Sequence, residues 1–320
     1  MNWIIKLKKL GENIKKNVLK KFPSREQLES SKWKALNCCN SGPISKDDLK
    51  DNFFQCKNCL TTFQISPEQR FEYMFLNKEY EKLDTPTTDS SGFDWEDASG
   101  KYTDKLNKTR KKTGRNSALT VAFGNLSEDL KAVIVASDWK YFGSSISPDE
   151  GESIVVASEK SIKENSPLII FAQGGGMRVQ IPGATSLMMM PKSIIALSEV
   201  KNKNIPIIVV VDTVVSGGIS ASYLHMGDFL FFEGKKSRAM FAGPRVAANA
   251  DQTTPPENFL EATWALQHGH CDAIIEERKD TKNYLISFLN IILKNKEKKL
   301  LKAQGQNQGL PTKTIDKEAS

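Results

Sequence analysis

From residue 117 onward the apolar positions fall into two alternating textures. Continuous, largely β-branched runs, "ALTVAFGNL", "LKAVIVAS", "PLIIFAQ", "PIIVVVDTVV" and "DFLFFEG", predict buried strands. Between them lie segments of helical character. "GESIVVASEKSIKEN" places Ile154, Val155, Ala157 and Ile162 as the apolar positions of one helix. "SLMMMPKSIIALSEVKNKN" predicts a second, interrupted or restarted at Pro191. "SGGISASYLHMG" predicts a tight turn and then a helix, "PENFLEATWALQHGHCDAIIEE" a helix, turn and strand, and "TKNYLISFLNIILKNKEKKLLK" a closing helix. Short strands alternating with helices specify an α/β domain.

Upstream the texture is polar. "SPEQRFEYMF" predicts a short helix capped by Ser66, with Pro67 in its first turn and Glu68 behind it. "DTPTTDSSGFDWEDASG" predicts a loop, and "KYTDKLNKTRKKTGRN" a helix ending in Lys105, Lys108, Arg110, Lys111, Lys112 and Arg115. "WIIKLKKLGENIKKNVLKKF" predicts an amphipathic helix at the start of the chain.

Charge changes this picture only at the ends. The 320-residue chain has a formal net charge of +7. Residues 1–22 hold seven Lys against one Glu, and residues 294–303 five Lys against one Glu, so what remains is slightly acidic. Basic ends of this kind serve as solvated helix faces or as attachment to nucleic acid or anionic lipid. No apolar run reaches the roughly 18 residues of a membrane span, and no signal peptide is evident. A cytoplasmic protein is expected.

Four of the five cysteines, Cys38, Cys39, Cys56 and Cys59, lie within 22 positions. "CKNC" is a knuckle spacing that lets two thiolates reach one tetrahedral metal. Its upstream partner is an adjacent pair, "NCCN", and neighbouring residues rarely turn both sulfurs to one ion. One of Cys38 and Cys39 is expected to bind well, with the other completing the set less readily. A small ribbon with free thiols is the alternative.

Standard nucleophile and nucleotide motifs are absent. Gly218-Ile219-Ser220 lacks the second glycine of a nucleophile elbow, because residue 222 is Ser. His225 follows Ser220 at five residues, a poor spacing for a dyad on one helix. "IIFAQGGGMR" and "IIVVVDTVVSGGIS" instead repeat one device, a strand running into glycines and toward a helix start. Glycine lets main-chain N–H groups converge where a Cβ would block approach. Unpaired donors at a helix N-terminus carry partial positive charge and hold a developing oxyanion. The same glycines also suit a plain tight turn with positive φ.

The chain resembles the family of β subunits of bacterial acetyl-CoA carboxylase carboxyltransferases. The resemblance rests on "FQCKNC", "KYTDKLNKTRKKTGRNSALTVAFGNL", "IKENSPLIIFA", "MMMPKSIIALSEVKNKNIPIIVV", "GGISASYLHMGD", "FAGPRV" and "CDAIIEERKD", and covers about residues 30–295. It implies a crotonase-like domain of repeated ββα turns behind a zinc ribbon. It implies a zinc in that ribbon, for which Cys39, Cys56 and Cys59, with Cys38 as fourth ligand, are the expected set, and pairing with an α subunit in an α2β2 assembly. It further implies carboxyl transfer to acetyl-CoA from carboxybiotin on the biotin carboxyl carrier protein, with biotin carboxylase in the wider complex. Gly217 and Gly218 match the family's glycine pair, whose amides stabilise the enolate. Gly175, Gly176, Arg178 and Gln180 match its S-G-G-A-R-M-Q stretch, and Arg245 lies in the F-A-G-P-R-V loop. CoA phosphates are expected on Arg110, Lys111 and Lys112, with Arg178 and Arg245 also near the ligand.

The departures from the family fall on loops. Leu36 stands where a first-knuckle cysteine is usual, "YFGSSIS" retains only Gly143 of a glycine-rich segment, and Leu260-Glu261 replace a Gln-Arg pair. A paralogue of weakened activity that scaffolds the carboxylase complex is therefore a second reading, and a nucleic-acid-binding ribbon protein a third. A crotonase-type hydratase or hydrolase, a fourth, would need Asp149 or Glu150 as its carboxylate. The expected organisation is a basic segment at 1–30, a zinc-ribbon-like module at 31–65, the crotonase-like domain at 66–300 and a polar tail at 301–320.

Overall fold

The computed structural model describes residues 33–35, 38–39, 43–89, 96–97, 100–178, 183–243 and 258–307. The amphipathic segment expected within residues 1–22 and the residues Gln180 and Arg245 lie outside these. Strands β1 (Trp33–Ala35) and β2 (Pro43–Ser45) form a small antiparallel pair, followed by helix α1 (Lys46–Asp51) and α2 (Pro67–Met74). Next come β3 (Glu81–Leu83), the short pair β4 (Glu96–Asp97) and β5 (Gly100–Lys101), and α3 (Tyr102–Thr113). The hairpin β6 (Leu119–Ser127) and β7 (Leu130–Ser137) leads to α4 (Pro148–Glu164), β8 (Leu168–Gly174), α5 (Gly183–Asn202) and β9 (Ile207–Ser216). The chain continues through β10 (Phe229–Glu233), β11 (Arg238–Met240), α6 (Ala262–Gln267), β12 (Ala273–Ile275) and α7 (Thr281–Asn307).

The central sheet has the order β12-β10-β9-β8-β7-β6-β3, with β11 extending from β9. The strands from β7 to β12 on this path run parallel, while β6 and β3 are antiparallel additions. Each parallel strand is covered on both faces, which is why its sequence is a continuous apolar run. Val133, Val135, Leu168, Ile170, Val209 and Val211 pack on the side that also buries Ile154 and Ala157 of α4 and Leu197 of α5. Ala132, Ile134, Ile169, Phe171, Ile208 and Val210 pack on the side of Phe71 and Met74 of α2 and Leu285 and Leu289 of α7. The alternation places a helical layer on each side of the sheet and levels the C-terminal ends of β7, β8 and β9. Among the described residues no helix is long and apolar enough to cross a membrane.

Two expectations are corrected here. Helix α5 runs unbroken through Pro191, whose ring lies on the exposed side. The helix expected after Gly218 does not form: residues 217–222 are turns, and only a 3-10 turn at Tyr223–Met226 follows. The turn's serines bond main-chain carbonyls. Ser222 Oγ donates to the carbonyls of Gly218 at 2.5 Å and Ile219 at 3.4 Å, and Ser220 Oγ donates to Met240 O at 2.8 Å. Strands β3 and β11 were not anticipated, both being only three residues long.

Against the Phe171 side of the sheet lies a buried cluster of two arginines and two carboxylates. Arg70 clamps Glu233 with two bonds of 2.7 Å and reaches Asp212 at 3.2 Å, and Arg278 bonds Glu233 at 2.6 Å and Asp212 at 2.5 Å. Thr281 donates to Glu233 at 2.7 Å, and the Arg70 guanidinium lies over the Phe171 ring at 4.1 Å. Burial alone would raise the Glu233 carboxyl, but the two guanidiniums outweigh it and hold that group far below the usual carboxylate range. Arg278 Nη1 also donates to the carbonyls of Phe53, Phe54 and Phe63, tying the cysteine-bearing segment to the sheet.

Removing one partner from such a cluster leaves uncompensated buried charge. Arg278→Met is expected to lower unfolding stability by about 3–5 kcal/mol, read by denaturant titration at neutral pH. A loss below about 1 kcal/mol, the scale of an exposed ion pair, would show the cluster to be dispensable.

Candidate functional site

At the C-terminal edge of the parallel strands, two glycine turns meet backbone to backbone. Gly174 on β8 pairs in register with Val215 on β9, so the turns that follow lie side by side. A Cβ on Gly176 would sit 3.1 Å from Gly218 N and Ser216 O and 3.3 Å from Gly217 Cα, all of them backbone atoms. Gly176 has φ +95 and Gly217 φ +60, conformations that L side chains resist. Gly218 does not share that conformation. A Cβ there would instead strike the Met177 side chain, at 2.1 Å from Cγ and 2.5 Å from Sδ.

The four predicted glycines divide into two pairs. Gly175 N–H donates to Gly143 O at 3.0 Å, and Gly217 N–H donates to Phe241 O at 2.8 Å. Those two donors hold the turns in place. Among the described residues the N–H groups of Gly176 and Gly218 have no hydrogen-bond partner. A pair of unengaged amides at a strand edge can polarise a carbonyl and hold negative charge on its oxygen. No helix dipole assists them, since the helix is absent.

The N-terminus of α4 buttresses one turn. Ser147 N–H and Oγ donate to Glu150 at 2.7 and 2.6 Å, closing the start of the helix. Glu150 also accepts from Ala118 N at 2.7 Å and faces Arg178 Nη2 at 3.6 Å. Ile146 N donates to Gly176 O and Arg178 N to Ile146 O, both at 2.8 Å, so Gly176 and Met177 are pinned from this side. The Arg178 guanidinium is buried, donating to Ser145 Oγ and O, Ser147 Oγ and Tyr102 OH, and lies 4.3 Å above the Phe142 ring. It braces the turn and is not turned to solvent, as a ligand contact requires. Asp149 accepts from Thr88 and from Arg110 Nη2 at 3.2 Å. With both carboxylates held internally, the hydratase reading loses its acid and base. Ser220 bonds a carbonyl, as described, and makes no dyad with His225 among the described hydrogen bonds.

The predicted cations on α3 separate likewise. Arg110 is held by Asp149, and Arg115 by Glu68 and Asp138. Burial alone would raise the Glu68 carboxyl, but hydrogen bonds from Arg115 outweigh it and bring its pKa down to about 2. Lys108, Lys111 and Lys112 are exposed. Beside the second glycine turn lies a cavity of about 590 Å³, lined among others by Ser220, His225, Met240, Phe241, Trp264 and His270. Burial first, and then the neighbouring His270, keeps the His225 imidazole below its usual pKa.

Cys38, Cys39, Cys56 and Cys59 come together, with all four Sγ atoms within 4.8 Å of one another. The adjacent pair, expected to contribute unequally, turns both sulfurs inward: Cys38 to Cys39 is 3.9 Å and Cys39 to Cys56 is 3.7 Å. A regular tetrahedron of thiolates about a zinc at about 2.3 Å has edges of about 3.8 Å, so the donor set fits that ion. The knuckle is shaped by Cys56 N donating to Thr61 O and Leu60 N to Cys56 O, each at 2.9 Å.

The ββα sheet with amide donors at its C-terminal edge defines the crotonase-like class of folds. The carboxyl transferase domain family is matched over residues 96–304. The acetyl-coenzyme A carboxylase carboxyl transferase subunit beta of Pelagibacter ubique (strain HTCC1062) is 37% identical over 294 residues, covering 92% of each chain. Its counterpart from Prosthecochloris aestuarii (strain DSM 271 / SK 413) is 36% identical over 266 residues, covering 83% of this chain and 92% of that one. Among solved structures, transcarboxylase 12S with methylmalonyl-coenzyme A and methylmalonic acid bound superposes with TM-score 0.57 at 17% identity, over 76% of this chain and 42% of that one. A Pseudomonas malonate decarboxylase hetero-tetramer in complex with malonate gives TM-score 0.55 at 14% identity, over 79% of this chain and 92% of that one. These two share the fold. The chain belongs to the carboxyl transferase family, and within it to the acetyl-coenzyme A carboxylase carboxyl transferase β subunits.

The two turns respond differently to a methyl group. Gly176→Ala forces a positive φ and a backbone contact, and is expected to lower stability by about 1–3 kcal/mol, read by thermal or denaturant unfolding. Gly218→Ala displaces a flexible thioether and is expected to cost less. The reverse order would contradict the close approach of the two turns.

Proposed function

We propose that this chain is the β subunit of a cytoplasmic acetyl-CoA carboxylase carboxyltransferase. It transfers the carboxyl group of carboxybiotin, borne by the biotin carboxyl carrier protein, to acetyl-CoA and so gives malonyl-CoA. It works with an α subunit in an α2β2 assembly, alongside biotin carboxylase. The observation that carries this reading is the pair of amides at Gly176 and Gly218, without a partner among the described residues, in a chain of this family. In the transfer the bond from biotin nitrogen to the carboxyl carbon breaks, the acetyl α-carbon loses a proton and bonds that carbon, and the biotin nitrogen keeps the electron pair and takes up the proton in net. Negative charge develops on the thioester oxygen, and the two amides are the groups of this chain that hold it. Gly175 and Gly217 keep the turns in shape, and Arg178 braces Gly176 and Met177 through Ser145 and Ser147. Lys108, Lys111 and Lys112 receive the CoA phosphates by charge. Neither the scaffolding nor the nucleic-acid reading is favoured by a specific observation.

Steady-state transfer by the chain assembled with its α subunit tests this. Gly218→Val drives a branched side chain into Met177 and the oxyanion position, and is expected to lower turnover about a hundredfold or more, with CoA affinity kept. Ser216→Ala and Ser220→Ala are expected to cost little. If Ser220→Ala abolishes turnover and Gly218→Val leaves it intact, the site works by a nucleophile and the reading fails. A wild-type complex without turnover would favour the scaffolding role.

The cysteine cluster supports one structural zinc, held by Cys38, Cys39, Cys56 and Cys59, which supplies folding energy to the module and no step of the reaction. Elemental analysis of purified protein is expected to find one zinc per chain, and Cys56→Ser to lose it. Far less than one zinc in the native protein would contradict the assignment.

A further inference from the structure

The residue that follows the first glycine turn bears on which thioester the site accepts. Met177 is fixed in its backbone: Gly176 O and Arg178 N both bond Ile146, and the Arg178 side chain is locked among Ser145, Ser147 and Tyr102. Its side chain is half-buried and reaches across to the other turn. There it occupies the space above Gly218, where even a Cβ would lie 2.1 Å from its Cγ.

We propose that Met177 sets the acyl limit of the site, admitting an acetyl thioester and crowding one that carries a substituent on its α-carbon. This deepens the proposed function and rests on it. A carbonyl oxygen held by the amides of Gly176 and Gly218 lies about 2.9 Å from their nitrogens. The α-carbon is then one bond, about 1.5 Å, from the carbonyl carbon. A carbon attached beyond it and directed toward Gly218 enters the volume into which the Met177 thioether projects. An acetyl group has only hydrogens there. Methionine has an unbranched, rotatable side chain, so the limit is graded and not a rigid wall.

The test is kcat/KM for acetyl-CoA and propionyl-CoA with the full chain assembled with its α subunit and a carboxybiotin donor. Wild type is expected to prefer acetyl-CoA. Met177→Ala is expected to raise the propionyl-to-acetyl ratio about tenfold or more, the scale on which one methylene is discriminated in an apolar pocket. Met177→Leu, similar in volume, is expected to keep the wild-type ratio. If Met177→Ala slows both thioesters equally, the side chain serves packing alone and the proposal is overturned. Equal use of both thioesters by wild type overturns it as well. If the wild-type complex carboxylates neither, the carboxyltransferase reading itself falls, and the proposal with it.

Discussion

The two glycine turns meet so closely that a Cβ on Gly176 would crowd the backbone of its neighbour, and the rest of the structure holds them there. A Cβ on Gly176 would lie 3.1–3.3 Å from backbone atoms of Ser216, Gly217 and Gly218, tighter than ordinary packing. Parallel pairing of β8 with β9 brings the turns level, and the apolar runs that build those strands exist to be covered on both faces. Gly143 and Phe241 each accept one glycine N–H, one from either side. The capped start of α4, with Glu150 and Arg178 satisfied internally, fixes the outer wall. Among the described residues, the N–H groups of Gly176 and Gly218 are left without a partner where the two turns meet.

The same strand that ends in the second turn carries Asp212 into the buried charge cluster. Through Arg278 that cluster bonds three carbonyls of the cysteine-bearing segment, and Thr62 Oγ1 donates to Asp212 O at 2.9 Å. Gln55 adds bonds to Glu276 O at 2.6 Å and from Arg278 N at 3.0 Å. The cysteine module is thus attached to β9 by polar groups that have no other means of satisfaction once buried. Its position follows from the sheet.

What the sequence made legible was periodic or compositional. The strands of the parallel sheet could be read from their apolar runs because burial on two faces leaves no polar positions. The cap at Ser66 could be read because its partners lie within one turn, and Gln69 completes the box. Features set by distant partners could not. Arg178 and Arg110 look like ligand arginines until Glu150, Ser145 and Asp149 are seen beside them. Three-residue β11 has no periodicity, yet it brings the Phe241 carbonyl to Gly217. Residues 217–222, which the sequence marks as a helix start, are turns in which Ser220 and Ser222 bond main-chain carbonyls. The adjacent cysteines were judged by local geometry alone, and the fold of the knuckle opposite turned both inward.

The central claim is electrostatic: the amides of Gly176 and Gly218 polarise the thioester carbonyl. It is tested most directly by isotope-edited infrared spectroscopy of acetyl-CoA labelled with carbon-13 at the carbonyl, bound to the full chain assembled with its α subunit. Two hydrogen bonds to the oxygen weaken the C=O bond, so the account predicts a stretch shifted to lower frequency than in water, with the shift diminished in Gly218→Val. A bound carbonyl at the solution frequency, unaffected by that substitution, would contradict it.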